Sequence, residues 1–195
     1  PNQYKKLPMT NMVVIRGCPY VCTFCDQAAT TARRRSPEKV IEEIKDVVKK
    51  YGIKEISFWD DTMSYHKKWM REFLDRLIEA DLGVVWSCYA AVNTVDKDLI
   101  KLMYKAGCWN IFFGYETAVE ELAKNILSNR KNRDFEKMKK IARWTREAGI
   151  EVRGAFLIGL PGETPELAKK TIQTAIELDP DYAQFTVCCP YPGTK

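Results

Sequence analysis

Cys18, Cys22 and Cys25 fall within eight residues, in the string R-G-C-P-Y-V-C-T-F-C-D, directly after the apolar run Met12-Val13-Val14-Ile15. Thiolates are soft ligands, and three of them on one loop can converge on one metal centre. An electron-transfer iron–sulfur cluster takes four cysteines, one for each iron. Three leave one coordination position open, and an open position is where a substrate or cofactor binds. The competing assignments are a structural zinc site or simply buried thiols. Zinc ligands, however, come as C-x-x-C or C-x-x-H pairs adding up to four. No fourth cysteine or histidine lies near the triplet, and the only histidine in the sequence is His66.

The elements that must position this loop alternate along the chain. A strand is predicted over 11–17, followed by the cysteine loop. Ser36 is a good N-cap and Pro37 suits a first helical position, with Val40, Ile41, Ile44, Val47, Val48 and Tyr51 at helical spacing up to Gly52. The strand Lys54–Trp59 follows, then a helix capped by Ser64, the strand Val84–Tyr89 and a helix running from Asp96 to Gly107. The strand Asn110–Tyr115 leads into a helical stretch Val119–Leu127 and another helix near 134–148. The strand Val152–Ile158, a helix opened by Thr164-Pro165 and the strand Tyr182–Cys188 complete the series. Near-continuous apolar strands separated by helices indicate a parallel sheet, either doubly wound or closed toward a barrel.

In parallel α/β folds ligands sit beyond the carboxyl ends of the strands. Here those ends carry the cysteine loop, Asp60-Asp61-Thr62, Ser87-Cys88-Tyr89, Gly114-Tyr115-Glu116-Thr117, the turn Gly159-Leu-Pro-Gly162 and Cys188-Cys189-Pro190. Asp60 and Asp61 each read either as ligand-binding carboxylates or as caps of the next helix. Glu116 ends a buried strand, where an unpartnered carboxylate is costly; the alternative is a first-turn residue of the next helix. Cys88, Cys108, Cys188 and Cys189 are scattered and read chiefly as core or cavity-edge thiols. His66 reads as a surface residue of the second helix, and Arg153, in phase with Ala155 and Leu157, as pointing into the barrel.

The pattern Cys18-x-x-x-Cys22-x-Phe24-Cys25 resembles the signature of the radical S-adenosylmethionine (radical SAM) enzymes. The resemblance implies a [4Fe–4S] cluster on these cysteines and S-adenosylmethionine on the fourth iron. One electron then cleaves the sulfonium to a 5′-deoxyadenosyl radical. It implies an α/β fold, a partial (β/α)6 TIM-like barrel of parallel strands, and it covers residues 1–195. It assigns the ammonium of the cofactor to Asp60 or Asp61, which stand where the family has a glycine-rich acidic motif. Glu116 falls where the family often contacts the ribose or the methionyl end. Leu157 and Gly159 match an adenine-side motif, with Ala155 in place of its usual first glycine, and Phe24 would stack near the adenine. The phrases S-P-E-K-V-I-E-E-I, F-W-D-D-T, F-L-I-G-L-P-G-E-T and P-Y-P-G-T look like the cobalamin-binding subgroup, whose members include methyltransferases and ring-forming enzymes. The arginine that this subgroup carries near Ala90-Ala91-Val92-Asn93 is absent. Cobalamin would be bound by a domain outside this segment, which reads as a core domain excised from a longer protein. A small-molecule substrate and an external electron donor such as a flavodoxin or ferredoxin would be the partners.

At 195 residues the chain suits one domain with a substantial core. Seven cysteines, an odd number, without a leader pattern point to reduced thiols and a cytoplasmic location. No apolar stretch is long enough to span a bilayer. The net charge of +5 is too modest to indicate nucleic acid, so an RNA-modifying member of the superfamily has thin support. The rival of a different class is an electron-transfer or structural iron–sulfur protein, its cluster fully ligated by Cys188 or another cysteine.

Overall fold

The computed structural model describes residues 4–126 and 134–194. Six strands form one sheet in the order β1 (Met9–Met12), β4 (Glu55–Phe58), β5 (Val85–Ala90), β6 (Cys108–Glu116), β7 (Glu151–Ile158), β8 (Tyr182–Val187), and every pairing is parallel. Strand order never reverses along the sequence. Right-handed crossovers therefore place the connecting helices on one side of the sheet and leave the other side concave. A doubly wound sheet would need a reversal. The chain forms a partial TIM-like barrel, with β1 and β8 as its open edges.

The helices fall where the sequence places them, and of the caps it names only Ser64 is not one. The Ser36 side chain accepts from the Lys39 amide at the start of α1 (Pro37–Tyr51), and Gly52 ends it at φ 64°. Asp96, Asp134 and Thr164 cap α3 (Lys97–Lys105), α5 (Phe135–Glu147) and α6 (Pro165–Leu178) in the same way. The exception is α2 (Lys67–Ala80), capped by His66 Nδ1 accepting from the Trp69 amide at 3.2 Å. Ser64 lies instead in a buried 3-10 turn, Met63–Tyr65, bonded to the Thr94 hydroxyl. The short α4 covers Glu120–Ile126; Leu127, the predicted end of that stretch, lies outside the described residues.

The core fills the space between sheet and helices. Phe58 makes edge contacts to Phe73 and Trp86 at 5.7 and 5.8 Å between ring centroids, and Trp69 stacks on Phe73 at 5.4 Å. Alternation assigns the faces. On β7, Val152, Gly154 and Phe156 are buried toward the helices, which turns Arg153, Ala155 and Leu157 to the concave side. Gly154 is required there, because a Cβ would come within 2.9 Å of the Tyr115 and Phe156 rings. At the amino-terminal end of the barrel the fully buried Glu55 accepts the amides of Lys5 and Lys6, both at 2.6 Å. Among the described residues no helix is long and apolar enough to cross a membrane.

The first strand departs from the prediction. It ends at Met12, and Ile15–Arg16 (β2) peels away to pair with Arg33–Arg34 (β3) in a separate antiparallel ribbon. The cause is Asp60, whose Oδ1 accepts the Val14 amide at 2.8 Å and the Ile15 amide as well. These amides thereby leave the sheet, and the chain turns outward into the cysteine loop.

Candidate functional site

The cysteine loop closes on itself. Cys18 donates its amide to Thr30 Oγ1 at 2.8 Å, and the Thr30 amide returns to the Cys18 carbonyl at 3.0 Å. Inside this clasp the Cys25 amide bonds the Cys22 carbonyl, and the Ala28 amide bonds Cys25. Gly17 enters the clasp at φ 91°, where a Cβ would meet the Thr31 carbonyl oxygen at 2.6 Å, so no other residue fits before Cys18. Cys18 and Cys22 are buried and Cys25 is half-buried.

Asp60, Asp61 and Thr62 hold the stem of that loop from below. Asp60 fastens Val14 and Ile15, Asp61 Oδ2 accepts the Gly17 amide at 3.0 Å, and the Thr62 hydroxyl lies 3.8 Å from Cys18 Sγ. The three consecutive residues thus step along the stem toward the first thiol. Asp60 is 1% exposed and its Oδ2 has no hydrogen-bond partner. Burial raises its pKa from 3.8 to about 6, against the lowering effect of the two amides. Asp61, by contrast, is exposed and lines a cavity of about 540 Å³ with Trp59, Arg16 and Arg33.

The other predicted residues come to the same end of the barrel. Cys18, Cys22, Cys25, Phe24 and Leu157 share one apolar cluster with Leu122 and Leu160, separate from the main core. Glu116, at the carboxyl end of β6, is 7% exposed and sits at φ 62°. A left-handed backbone in a residue other than glycine costs about 1–2 kcal/mol and is concentrated at functional sites. Gly159 begins the turn after β7 and leaves open space, with only Val187 Cγ1 within 4 Å of a would-be Cβ, at 3.7 Å.

One feature of the site was not singled out in the sequence. Glu163 Oε2 accepts the amides of Gly159 and Leu160 and so fixes the glycine turn; the pairing of a turn's amides with an acid four residues on is the available signal. Cys188, read from the sequence as a cavity-edge thiol at the last strand end, packs on the apolar cluster of the cysteine loop. Burial pushes its thiol pKa up, aided by neighbouring Cys189 and Glu163.

The donor set suits an iron–sulfur cluster. Among the described residues no three His, Cys, Asp or Glu side chains are grouped closely enough to hold a single metal ion. Three thiols spread over one loop and sharing an apolar surface match a cluster that takes one cysteine per iron.

Comparison with known proteins agrees with this geometry. The sequence profile of the Radical SAM superfamily matches residues 12–175. An uncharacterized methyltransferase of Pyrococcus horikoshii is 36% identical, over 97% of this chain and 41% of its own length. The anaerobic magnesium-protoporphyrin IX monomethyl ester cyclase of Rubrivivax gelatinosus is 32% identical, over 97% of this chain and 35% of its own. The chain thus spans less than half the length of these relatives. In fold it resembles the radical SAM methyltransferase TsrM of Kitasatospora setae, solved with cobalamin and a [4Fe-4S] cluster, with a TM-score of 0.84 at 21% identity over 92% of this chain and 34% of that one. A cysteine loop clasped at the mouth of a parallel half-barrel, within a profile match that begins at Met12 and runs into α6, makes this chain a member of the radical SAM superfamily.

Proposed function

We propose that this chain is the catalytic core of an enzyme that reductively cleaves S-adenosylmethionine and directs the resulting radical at a small-molecule substrate. The observation that carries the reading is the convergence of Cys18, Cys22, Cys25, Phe24 and Leu157 on one apolar cluster at the carboxyl ends of the strands. The three thiolates would hold a [4Fe–4S] cluster and leave one iron for the amino and carboxylate groups of S-adenosylmethionine. When bound, the cluster supplies the electron that breaks the sulfonium bond. Asp61, exposed beside the loop, takes the cofactor's ammonium, while Asp60 fastens the stem. Glu116 accepts from the ribose or the methionyl end. Phe24 and Leu157 exclude water, and the open Gly159 turn admits the flat adenine.

The named activities of the similar proteins, methyl transfer and ring formation, support a reaction of that kind with cobalamin, held by a domain outside this segment. The electron comes from an external donor such as a flavodoxin or ferredoxin, in the cytoplasm, where thiols stay reduced.

Anaerobic reconstitution with iron and sulfide, followed by reduction in the presence of S-adenosylmethionine, tests the reading. Formation of 5′-deoxyadenosine is expected. A cluster that assembles but neither binds nor cleaves S-adenosylmethionine would sink it in favour of an electron-transfer role.

A further inference from the structure

The ribbon that flanks the cysteine loop places two cations on one face. Its register sets Arg16 directly opposite Arg33, and Ile15 opposite Arg34. Residues directly opposite in an antiparallel pair share a face, with Cβ atoms about 4.5–5.5 Å apart. Both side chains are exposed, and among the described residues neither makes a hydrogen bond or an ion pair. Arg35, in the same run, is by contrast held by Glu43. A ribbon of two residues per strand has little stability of its own, and like charges set opposite each other weaken it further. A bound anion removes that cost.

The two guanidiniums lie on the wall of the cavity of about 540 Å³ beside the loop, together with Gln27, Thr31 and Trp59. A volume of that order suits a small molecule. Asp61 is the one carboxylate on the wall; its Oδ2 accepts the Gly17 amide, and it forms no ion pair with either arginine. The wall therefore carries one positive charge in excess. Trp59 supplies an apolar part. Its indole N–H is tied to Ser57 Oγ at 3.0 Å, yet the ring is 56% exposed. A large ring fixed at one edge and open to a cavity is a stacking platform. The kind of anion follows from the number of guanidinium forks. A carboxylate has two oxygens and one charge, which a single fork satisfies. A phosphate monoester brings three terminal oxygens and close to two charges, enough for both.

We propose that this cavity binds a phosphate monoester carried on a planar ring. Arg16 and Arg33 straddle the phosphate from opposite strands of the ribbon, and the ring stacks on Trp59. Asp61 takes no part in holding it, and the binding does not depend on the radical reading above. Gly17 and Thr30 also line the cavity, and both belong to the clasp around Cys18. A ligand seated there rests against the backbone that positions the first thiol, so its binding is felt at the clasp.

The test uses the full protein as isolated under anaerobic, reducing conditions, without S-adenosylmethionine, and three probes: 1-naphthyl phosphate, inorganic phosphate and 2-naphthoate. Calorimetry is expected to show 1-naphthyl phosphate bound about tenfold tighter than either of the others, one lacking the ring and the other the second charge. Arg16→Gln and Arg33→Gln should each weaken it about tenfold, and Trp59→Leu should bring it down to the level of inorganic phosphate. Arg34→Gln, on the other face of the same ribbon, should change it less than about twofold. Hydrogen exchange at the Cys18 and Thr30 amides should slow when the probe is bound. Uridine 5′-monophosphate, run alongside, tells the source of the phosphate: tighter binding than 1-naphthyl phosphate marks a nucleotide, and weaker binding another aryl phosphate. If either glutamine variant melts early, Arg33→Lys is read instead, and it should still lose several-fold because the fork is gone. Absence of binding, equal binding of the three probes, or an equal loss in Arg34→Gln and Arg33→Gln overturns the proposal. Since no cofactor is added, failure here leaves S-adenosylmethionine cleavage untouched, and failure of cleavage leaves this result standing.

Discussion

Asp60 offers a perturbation whose size follows from the geometry. Its carboxylate is buried, one oxygen accepts two amides and the other has no partner, and its pKa rises from 3.8 to about 6. A carboxyl group with a raised folded pKa holds its proton more tightly in the fold than in the unfolded chain. The penalty is therefore absent below the unfolded pKa and complete above the folded one. Between about pH 4 and pH 6 the fold should lose roughly 3 kcal/mol through this group alone, at about 1.4 kcal/mol per pH unit across the gap. Asp60→Asn keeps an acceptor for Val14 and Ile15 but cannot ionise. Urea unfolding of wild type and Asp60→Asn, cluster-free and reduced, isolates the effect, because all other carboxylates cancel in the difference. The difference should shift toward the asparagine variant by about 3 kcal/mol between pH 4 and pH 7.5. A flat difference would refute the reasoning, since Asp60 would then ionise in the fold as it does in water. Asp60→Ala is distinct: it orphans two buried amides at about 1–3 kcal/mol each and frees the stem of the cysteine loop, so cluster loading should fall as well.

Further outcomes are expected at the site and beneath it. Cys22→Ala should abolish cluster assembly, measured as iron and sulfide per chain, whereas Cys188→Ala should retain it; loss in both would make Cys188 a fourth ligand. Glu116→Gln should weaken S-adenosylmethionine binding about tenfold by calorimetry, the cost of one charged acceptor, with little change in melting temperature. Gly154→Ala should destabilise by about 1–3 kcal/mol in urea, because its Cβ meets the Tyr115 and Phe156 rings at 2.9 Å; an unchanged midpoint would show that those rings yield freely.

Much of the fold was legible because its signals are local. Ser36-Pro37, Asp96 and Thr164 announce helix starts through hydrogen bonds to amides three residues on, and the strands between them are marked by length and apolar composition. Even here one local competition was misread. Ser64 has cap chemistry, but its hydroxyl bonds Thr94 in the core, and His66 performs the capping. The cysteine triplet was legible for the same reason of proximity.

What the sequence withheld depends on contacts between distant segments. Asp60 and Asp61 read as interchangeable carboxylates, yet the first is buried on the amides of Val14 and Ile15 while the second, which accepts the Gly17 amide, stands exposed at the edge of a cavity. That division has a physical consequence. The stem is fastened at Val14 and Ile15 by a buried group, and only the bond at Gly17 is made by a carboxylate that also meets solvent. The concave face of the sheet was hidden for another reason. In strands such as Asn110–Tyr115 both faces are apolar, so alternation alone does not say which side a helix covers. Register does: once Phe112 lies beside Tyr89 and Arg153, the hydrophobic run divides into Ile111 and Phe113, which hold the barrel together, and Phe112, which faces whatever the barrel holds.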